Sequence, residues 1–185
     1  MSLPEEHRKT LLRVAADSIR HGFRNGCPLP VKPEDFAEPL RVERATFVTL
    51  QMAGQLRGCI GMLAACRPLV VDVAENAFSA AFEDPRFTPM APLEMNGLDI
   101  HISILSLPEP MTVADEADLL KQLRPGIDGL IIEDGPRRAT FLPSVWEEVR
   151  DPREFLAHLK RKAGMRPDHW TRTFRAFRYT AESVP

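Results

Sequence analysis

The sequence predicts an α+β fold with a mixed, mostly antiparallel sheet flanked by helices. The main reason is the order of the predicted elements: a helix, a hairpin, a helix and a strand are followed by a second helix, hairpin, helix and strand. Several strand segments alternate apolar and polar residues, which is typical of a strand with one buried face. Neither of the two common glycine-rich phosphate-binding sequences is present.

The first half of the chain contains two predicted helices and three predicted strands. Apolar residues at three- and four-residue steps predict the helices, and Gly26 is a suitable end for the first. The turn AGQ joins two alternating segments into a hairpin, and the proline-rich stretch CPLPVKPEDFAEPL predicts an extended loop. The helices cover residues 7–25 and 68–82, and the strands cover residues 44–52, 56–63 and 98–104.

The second half repeats these kinds of element after a short linker, SLPEP. Thr112 or Asp115 lies where the cap of the first helix is expected. Asp151 suits the cap of the second, Pro152 its first helical position, and Gly164 its end. LIIEDGPRRATFL predicts two strands joined by a turn, and FRAFRYT predicts the last strand.

Length and composition indicate one globular domain over residues 1–185. The chain is 44% hydrophobic, which is enough for a sizeable core and leaves room for a small lobe formed by the N-terminal helix and its adjoining loop. The formal net charge of −2 argues against a strongly basic nucleic-acid-binding surface. No apolar run approaches the roughly 20 residues of a membrane span. With a polar N-terminus, this predicts a cytoplasmic protein without a membrane partner.

The cysteines predict reduced thiols and no metal site. Their number is odd, no CxxC pair occurs, and no two of the five histidines have a recognised ligand spacing. The cysteines are Cys27, Cys59 and Cys66. No particular cofactor is indicated.

The segment RGCIG raises the main functional question, because Gly58 and Gly61 bracket Cys59 within a predicted strand. Glycine in a strand marks a bulge or a close approach by a ligand or another backbone, and the neighbouring cation of Arg57 favours a thiolate. Cys59 is therefore a candidate nucleophile, metal ligand or radical-transfer residue. The alternative is a small cysteine that only packs, since free cysteine is among the most buried residue types.

The segment EDPRFTP follows the long central helix and supplies a second candidate site. Arg86 could bind an anionic group with its two-pronged guanidinium, while Asp84 could orient Arg86 or act as a base. The alternative is a local aspartate–arginine pair that stabilises the turn after the helix.

Two further groups of polar residues carry weaker functional expectations. A basic cluster near the C-terminus could contact RNA phosphates, but a solvated helix face explains it better. Alternating polar residues on the strand at 98–104 are best explained as a solvent-facing side and not as a catalytic array with Cys59. The cluster comprises Lys160, Arg161, Lys162 and Arg166, with Arg172, Arg175 and Arg178, and the strand residues are Asp99, His101 and Ser103.

The segments LRGCIG, AFSAAFEDPRFTPM, LDIHISILSLPEP and PGIDGLIIEDGPRRATFLPSVWEE resemble the AMME-candidate-gene domain family, called AmmeMemoRadiSam system protein A in microbes. The resemblance covers roughly residues 45–170. It implies a two-lobed α/β domain with a smaller second lobe and a cleft beside the LRGCIG strand. It also implies Memo-like and radical-SAM partners and a role in RNA or nucleotide modification. Together with the glycine-framed thiol beside arginines, this suggests the hypothesis that Cys59 is the chemically active group. Arg57, Gly58, Gly61, Asp84 and Arg86 would then bind the substrate. The alternative is a non-catalytic binding or scaffold module for the same partners.

Overall fold

The structure is a computed structural model that describes residues 3–185. It contains two compact units. Unit 1 comprises the described residues up to Leu105 together with Glu182–Pro185, and unit 2 comprises Ser106–Ala181. Residues 1 and 2 lie outside the described part.

The elements follow one another as helices and strands in both units. The α-helices are α1 (Glu5–Asn25), α2 (Glu38–Arg41), α3 (Leu69–Phe82), α4 (Glu116–Gln122) and α5 (Pro152–Lys162). The strands are β1 (Thr46–Met52), β2 (Gln55–Gly61), β3 (Leu98–Leu105), β4 (Glu109–Pro110), β5 (Gly129–Asp134), β6 (Arg137–Phe141), β7 (Arg175–Tyr179) and β8 (Ala181–Val184). Short 3₁₀ turns cover Pro33–Asp35, Pro92–Met95 and Pro143–Glu147.

Unit 1 is a four-stranded sheet, in the order β2-β1-β3-β8, with α1 and α3 packed on one face. The helices bring apolar stripes to the alternating apolar residues of β1 and β3, as their sequence periodicity predicts. The fully buried core includes Leu11, Ile19, Val48, Val73 and Ile102.

A buried polar network joins the first turn of α3 to the start of β1. The Asp72 carboxylate is 1% exposed. It accepts hydrogen bonds from the Thr46 amide (2.9 Å) and hydroxyl (2.7 Å) and from Asn76 Nδ2 (2.9 Å). Arg67 donates two more through Nε (3.0 Å) and Nη2 (2.7 Å). Because five donors surround one carboxylate, the network holds α3 in register with the sheet.

Unit 2 is a second four-stranded sheet, in the order β4-β7-β5-β6, with α5 against one face. Trp146 stacks on Phe155 at a centroid distance of 3.8 Å, and its indole N–H donates to Asp128 O at 2.7 Å. Trp146 is thus a core residue, and its indole N–H has the hydrogen-bond partner that a buried tryptophan needs.

The two units share one strand arrangement. The order is β2-β1-β3-β8 in unit 1 and β6-β5-β7-β4 in unit 2. In each unit the second arm of the hairpin lies at one edge and is followed by the first arm. Next comes the strand that follows α3 or α5, and then a short strand. The corresponding pairings are antiparallel in both units. The repeated order of predicted elements therefore corresponds to two units of like topology.

The predicted α+β class, with antiparallel sheets flanked by helices, is confirmed. The N-terminal helix, expected in a small lobe, lies in unit 1 against α3, and the second unit is Ser106–Ala181. The predicted extended loop contains a 3₁₀ turn and the single-turn helix α2, because prolines are tolerated in the first turn of a helix. That both units form one domain stays a prediction. No helix within residues 3–185 is both long and apolar enough to span a membrane.

Three hydrogen bonds to the Asp134 carboxylate, here called the Asp134 clasp, join the end of β5 to residues 169–173 of unit 2. They predict that the free energy of unfolding falls at acid pH. Asp134 accepts hydrogen bonds from Thr173 Oγ1 (2.6 Å), His169 Nε2 (2.6 Å) and Thr171 Oγ1 (2.8 Å). These hydrogen bonds, of which the one from Thr173 has the largest effect, lower the pKa of Asp134 from 3.8 to about 2. Since the folded-state pKa is the lower one, the clasp contributes fully above about pH 4 and is lost as the pH falls towards 2. Urea unfolding across this range should show a shallower pH dependence for Asp134→Asn than for the parent, while the exposed Asp35→Asn should follow the parent.

Candidate functional site

The candidate site lies on β2, at the edge of the unit 1 sheet. Thr49 of β1 pairs with Cys59, Leu50 pairs with Gly58, and Gln51 pairs with Leu56. Arg57 is therefore an extra residue, a β-bulge, between two regular stretches. Bulges re-aim side chains, and here the bulge turns Arg57 away from the regular alternation.

Gly58 faces α3 and has no space for a side chain. A Cβ atom at this position would lie 2.1 Å from Ala80 O, a backbone atom of α3. The first glycine of RGCIG is therefore required by the close packing of the chain's own helix on the strand. This contact explains Gly58 without a ligand.

Gly61 also has no space for a side chain, because the neighbouring strand lies against it. A Cβ atom there would lie 2.3 Å from Thr46 O and 2.5 Å from Phe47 Cγ, both on the neighbouring strand β1. The two glycines around Cys59 thus serve two different contacts, Gly58 with α3 and Gly61 with β1.

Asp84 and Arg86 occupy the open edge of β2 at Cys59; we call this pair the edge clasp. The Cys59 amide donates to Asp84 Oδ2 at 2.9 Å, and Arg86 Nη2 donates to Cys59 O at 3.3 Å. Arg86 also binds Asp84 with both prongs, Nε at 3.0 Å and Nη2 at 2.8 Å. The edge clasp therefore takes the place that a neighbouring strand would have at this residue.

The Asp84 carboxyl is buried and fully engaged. The hydrogen bonds from the Arg86 side chain, followed by that from the Cys59 amide, hold its pKa well below its ordinary value despite the opposing effect of burial. A carboxylate with so low a pKa is a poor proton acceptor near neutral pH. The orienting role predicted for Asp84 fits this geometry, and the role of base does not.

Arg57 is likewise occupied within the chain. Its Nε and Nη2 donate to the two oxygens of Glu94 at 2.6 and 3.1 Å, and Nη2 also donates to Thr88 O at 3.0 Å. The Phe87 ring lies near both guanidinium groups, with centroids 5.9 Å from Arg57 and 5.5 Å from Arg86. The segment from Asp84 to Glu94 is thereby fastened along the edge of β2.

Cys59 is half-buried, on the sheet face opposite α1 and α3. Its Sγ lies 3.2 Å from Thr49 Oγ1, and either atom can donate. His101 pairs with Thr49 on the other side of β1, so that Cys59, Thr49 and His101 form one row across three strands. Two strand spacings, roughly 10 Å, separate the cysteine from the histidine. The Cys–His–Asp array, which the sequence already disfavours, is not assembled.

The structure brings together all six residues named from the sequence: Arg57, Gly58, Cys59, Gly61, Asp84 and Arg86. It gives them internal partners, and only Arg86, whose side chain is 55% exposed, faces solvent to a large extent. The substrate-binding and catalytic roles stay predictions. Among residues 3–185 there is no group of three histidine, cysteine or acidic side chains placed to hold a metal ion.

Two residues of the site were not predicted, Thr49 and Glu94. Thr49 could have been found by pairing the hairpin outward from its turn, had the bulge at Arg57 been recognised. Glu94 lies 37 residues from Arg57 in a proline-rich segment, and no periodic pattern relates the two.

The basic cluster near the C-terminus is mostly paired within unit 2. Lys160 is fully buried and donates to Glu116 at 2.6 Å. Lys162 donates to Thr140 O, Arg166 pairs with Asp168, and Arg175 pairs with Glu133. These contacts favour a structural role for the cluster over a phosphate-binding surface.

We expect Asp84→Asn to loosen the edge of β2. The variant loses the charge that holds Arg86 and weakens the acceptor for the Cys59 amide, so the free energy of unfolding should fall by about 2 kcal/mol. Amide exchange at Cys59, measured by NMR, should accelerate by about tenfold or more. Glu83→Gln, one residue earlier and exposed, is the control and should change neither quantity.

Comparison with known proteins identifies the family. The AMMECR1 family model matches residues 12–184. The chain belongs to the AMMECR1 family. The match includes both units, the RGCIG strand and the edge clasp, and it confirms the resemblance seen in the sequence.

Archaeal AMMECR1 relatives align along most of the chain. A protein of Methanothermobacter thermautotrophicus is 38% identical, over 97% of this chain and 94% of its own length. Protein MK0488 of Methanopyrus kandleri is 38% identical, over 89% and 81% of the two chains. The crystal structure of the uncharacterised protein PH0010 from Pyrococcus horikoshii superposes with a TM-score of 0.89 at 32% identity and covers 99% of this chain and 93% of that one. These names state no activity. The comparisons therefore support the fold, and the function has to be argued from the site.

Proposed function

We propose that this AMMECR1 protein is a non-catalytic binding module of a modification system, with Memo-like and radical-SAM proteins as its partners. The observation that carries the proposal is that both arginines of the site already have a partner within the chain. Arg57 is bound by Glu94, and Arg86 is bound by Asp84. The glycines serve internal packing, and within residues 3–185 no histidine or acidic side chain lies within hydrogen-bond distance of the Cys59 thiol. Such a site is rigid and suits the presentation of a surface better than proton transfer.

The proposal predicts direct binding that does not need the thiol. The protein is mixed with a purified Memo-like protein and, separately, with a purified radical-SAM protein, each from an organism that encodes all three. Calorimetry should detect a complex with at least one of them, and Cys59→Ser should bind with unchanged affinity. Asp84→Asn, which loosens the edge, should bind more weakly. Turnover of a nucleotide or RNA by the purified protein alone would refute the proposal.

A second function is supported by the position of the Cys59 sulfur. It is half-buried, with Thr49 Oγ1 at 3.2 Å, on the sheet face opposite α1 and α3. This placement would suit a thiol-dependent RNA- or nucleotide-modifying enzyme. The test is protection: nucleoside monophosphates or short RNA should slow the alkylation of Cys59 and leave that of the exposed Cys27 and Cys66 unchanged.

A further inference from the structure

Three polar side chains meet at the C-terminal end of α1, away from the site on β2. Cys27 Sγ lies 3.7 Å from His21 Nε2, and Asn25 Nδ2 lies 3.2 Å from His21 Nδ1. A thiol, an imidazole within its reach and a third group that orients the imidazole form the arrangement in which a cysteine is activated as a nucleophile. The proposed function makes no use of these residues.

The chain holds the Cys27 thiol in place from both sides. Gly26, with a φ of +66°, ends α1 by donating its amide to Gly22 O at 2.9 Å, so Cys27 lies directly beyond the last turn of the helix. Two residues further on, Leu29 N donates to Ser18 Oγ at 3.0 Å. Cys27 is exposed, so a small molecule in solution can reach its sulfur.

The orientation of the Asn25 amide determines which nitrogen of His21 carries the proton. Asn25 Nδ2 also lies 3.2 Å from His21 O, a carbonyl oxygen that can only accept, so the NH₂ group is turned towards it. The second hydrogen of the same NH₂ group then points to Nδ1, which accepts it. In the neutral ring the proton is therefore on Nε2, and this N–H faces the Cys27 sulfur.

A hydrogen-bond donor beside the sulfur favours the thiolate, which is the nucleophilic form of cysteine. A thiolate accepts the Nε2 hydrogen bond more strongly than a thiol does, because the bond is then charge-assisted. The carbonyl end of α1 opposes a negative charge nearby, but at an exposed position this effect is smaller than that of a direct hydrogen bond. The arrangement therefore raises the reactivity of Cys27.

Cys66 is a matched comparison within the same unit. It is exposed like Cys27, but here the thiol is the donor and gives its hydrogen to Met62 Sδ at 3.8 Å. A thiol that donates is stabilised in its protonated, unreactive form. One exposed cysteine thus accepts a hydrogen bond and the other donates one.

We propose that Cys27 is a site of reversible covalent modification by small aliphatic disulfides, with His21 and Asn25 as its positioning residues. The Cys27 thiol loses its proton to water, and the thiolate attacks one sulfur of the disulfide. A bond forms between these two sulfurs as the disulfide bond breaks, and the second half leaves as a thiolate that takes a proton from water. Cys27 is oxidised to a mixed disulfide, half of the reagent is reduced to a thiol, and excess thiol reverses the step.

The probe is bis(hydroxyethyl) disulfide, which is small and uncharged. The native protein is treated with it near neutral pH and quenched with acid, and mass spectrometry follows the mixed disulfide at each cysteine over time. Cys27 should react about fivefold faster than Cys66. The gain in thiolate is larger than this, but a stabilised thiolate is a weaker nucleophile, which offsets part of the gain.

Variants of the two positioning residues separate activation from simple exposure. His21→Ala should lower the rate at Cys27 to that at Cys66, whereas mere loosening of the helix end would expose Cys27 further and raise its rate. Asn25→Ala frees the ring and should lower the Cys27 rate by about twofold. His158→Ala, at an exposed position of α5, is the control and should change neither rate. Long-range proton–nitrogen NMR should find the His21 proton on Nε2 in the parent and shared between both ring nitrogens in Asn25→Ala.

Three results would overturn the inference: equal rates at Cys27 and Cys66 in the parent, an unchanged Cys27 rate in His21→Ala, or a His21 proton on Nδ1. The inference does not depend on the proposed function. Equal rates at Cys27 and Cys66, with Cys59 slowest, would refute the inference and leave the binding module standing. A Cys59 that reacts fastest would refute the module, and the ratio of Cys27 to Cys66 would still decide the inference.

Discussion

Replacing Asp72 by alanine should lower the free energy of unfolding by about 3–5 kcal/mol. The carboxylate is the common acceptor for Thr46, Asn76 and Arg67 at the junction of α3 and β1. Its removal leaves the buried Thr46 amide and hydroxyl without their acceptor and separates Arg67 from its closest counter-charge. Urea unfolding followed by circular dichroism measures the change.

Glu75→Ala is the matched control for Asp72→Ala. Glu75 lies on the same helix and also approaches Arg67, at 3.7 Å, but its side chain is 42% exposed. A partly exposed ion pair of this kind contributes less than about 1 kcal/mol. Equal losses in the two variants would show that the network stabilises α3 only through the charge of Arg67.

Gly58→Ala should lower the free energy of unfolding by about 3 kcal/mol, at the upper end of overpacking effects. The added methyl group meets Ala80 O, and a backbone atom in a helix cannot move aside as a flexible side chain can. Either β2 or α3 must shift, and a shift of β2 breaks the hydrogen bond between the Cys59 amide and Asp84. Unfolding measurements and the amide exchange of Cys59 should therefore change together.

Gly54→Ala separates steric crowding from the loss of a glycine as such. Gly54 lies in the β1–β2 turn with a φ of +76° and nothing within 4 Å of an added Cβ. The strain of that conformation costs about 1–2 kcal/mol, and Cys59 exchange should stay at its parent rate. A Gly58→Ala protein as stable as the parent would mean that the strand has room for a side chain, and the case for a ligand at the glycines would return.

The elements with strong local signals could be predicted from the sequence. Asp115 and Asp151 cap α4 and α5 by accepting the hydrogen bonds expected of them, and the alternating residues of β3 form a strand with one buried face. Helix caps and strand periodicity depend on neighbours within a few residues, which is why they are readable.

The elements that depend on distant neighbours could not be predicted. β8 is four residues long and exists as a strand because β3 is there to pair with it. The bulge at Arg57 and its ion pair with Glu94 depend on how β2 meets a segment more than thirty residues away. The role of the glycines could not be predicted for the same reason. Glycine is needed both where the chain's own helix packs closely and where a ligand does, so its presence does not distinguish the two.

The geometry changes the weight of the two functional interpretations. From the residues alone, Arg57 and Arg86 could bind an anion beside an activated thiol. In the structure each arginine binds a carboxylate of its own chain, and Asp84 is held as an anion by Arg86 and the Cys59 amide. The site is therefore a fastened sheet edge that carries a cysteine, and this favours the binding module.

The most direct test of this account is iodoacetamide labelling of the native protein over a range of pH, followed cysteine by cysteine with mass spectrometry. Cys27 and Cys66 are exposed, and Cys59 is half-buried beside Thr49. The account predicts that Cys59 reacts more slowly than both at every pH, and that urea removes the difference. If Cys59 instead reacts fastest, and does so below the pH at which the other two begin to react, it is an activated nucleophile and the proposal of a non-catalytic module is wrong.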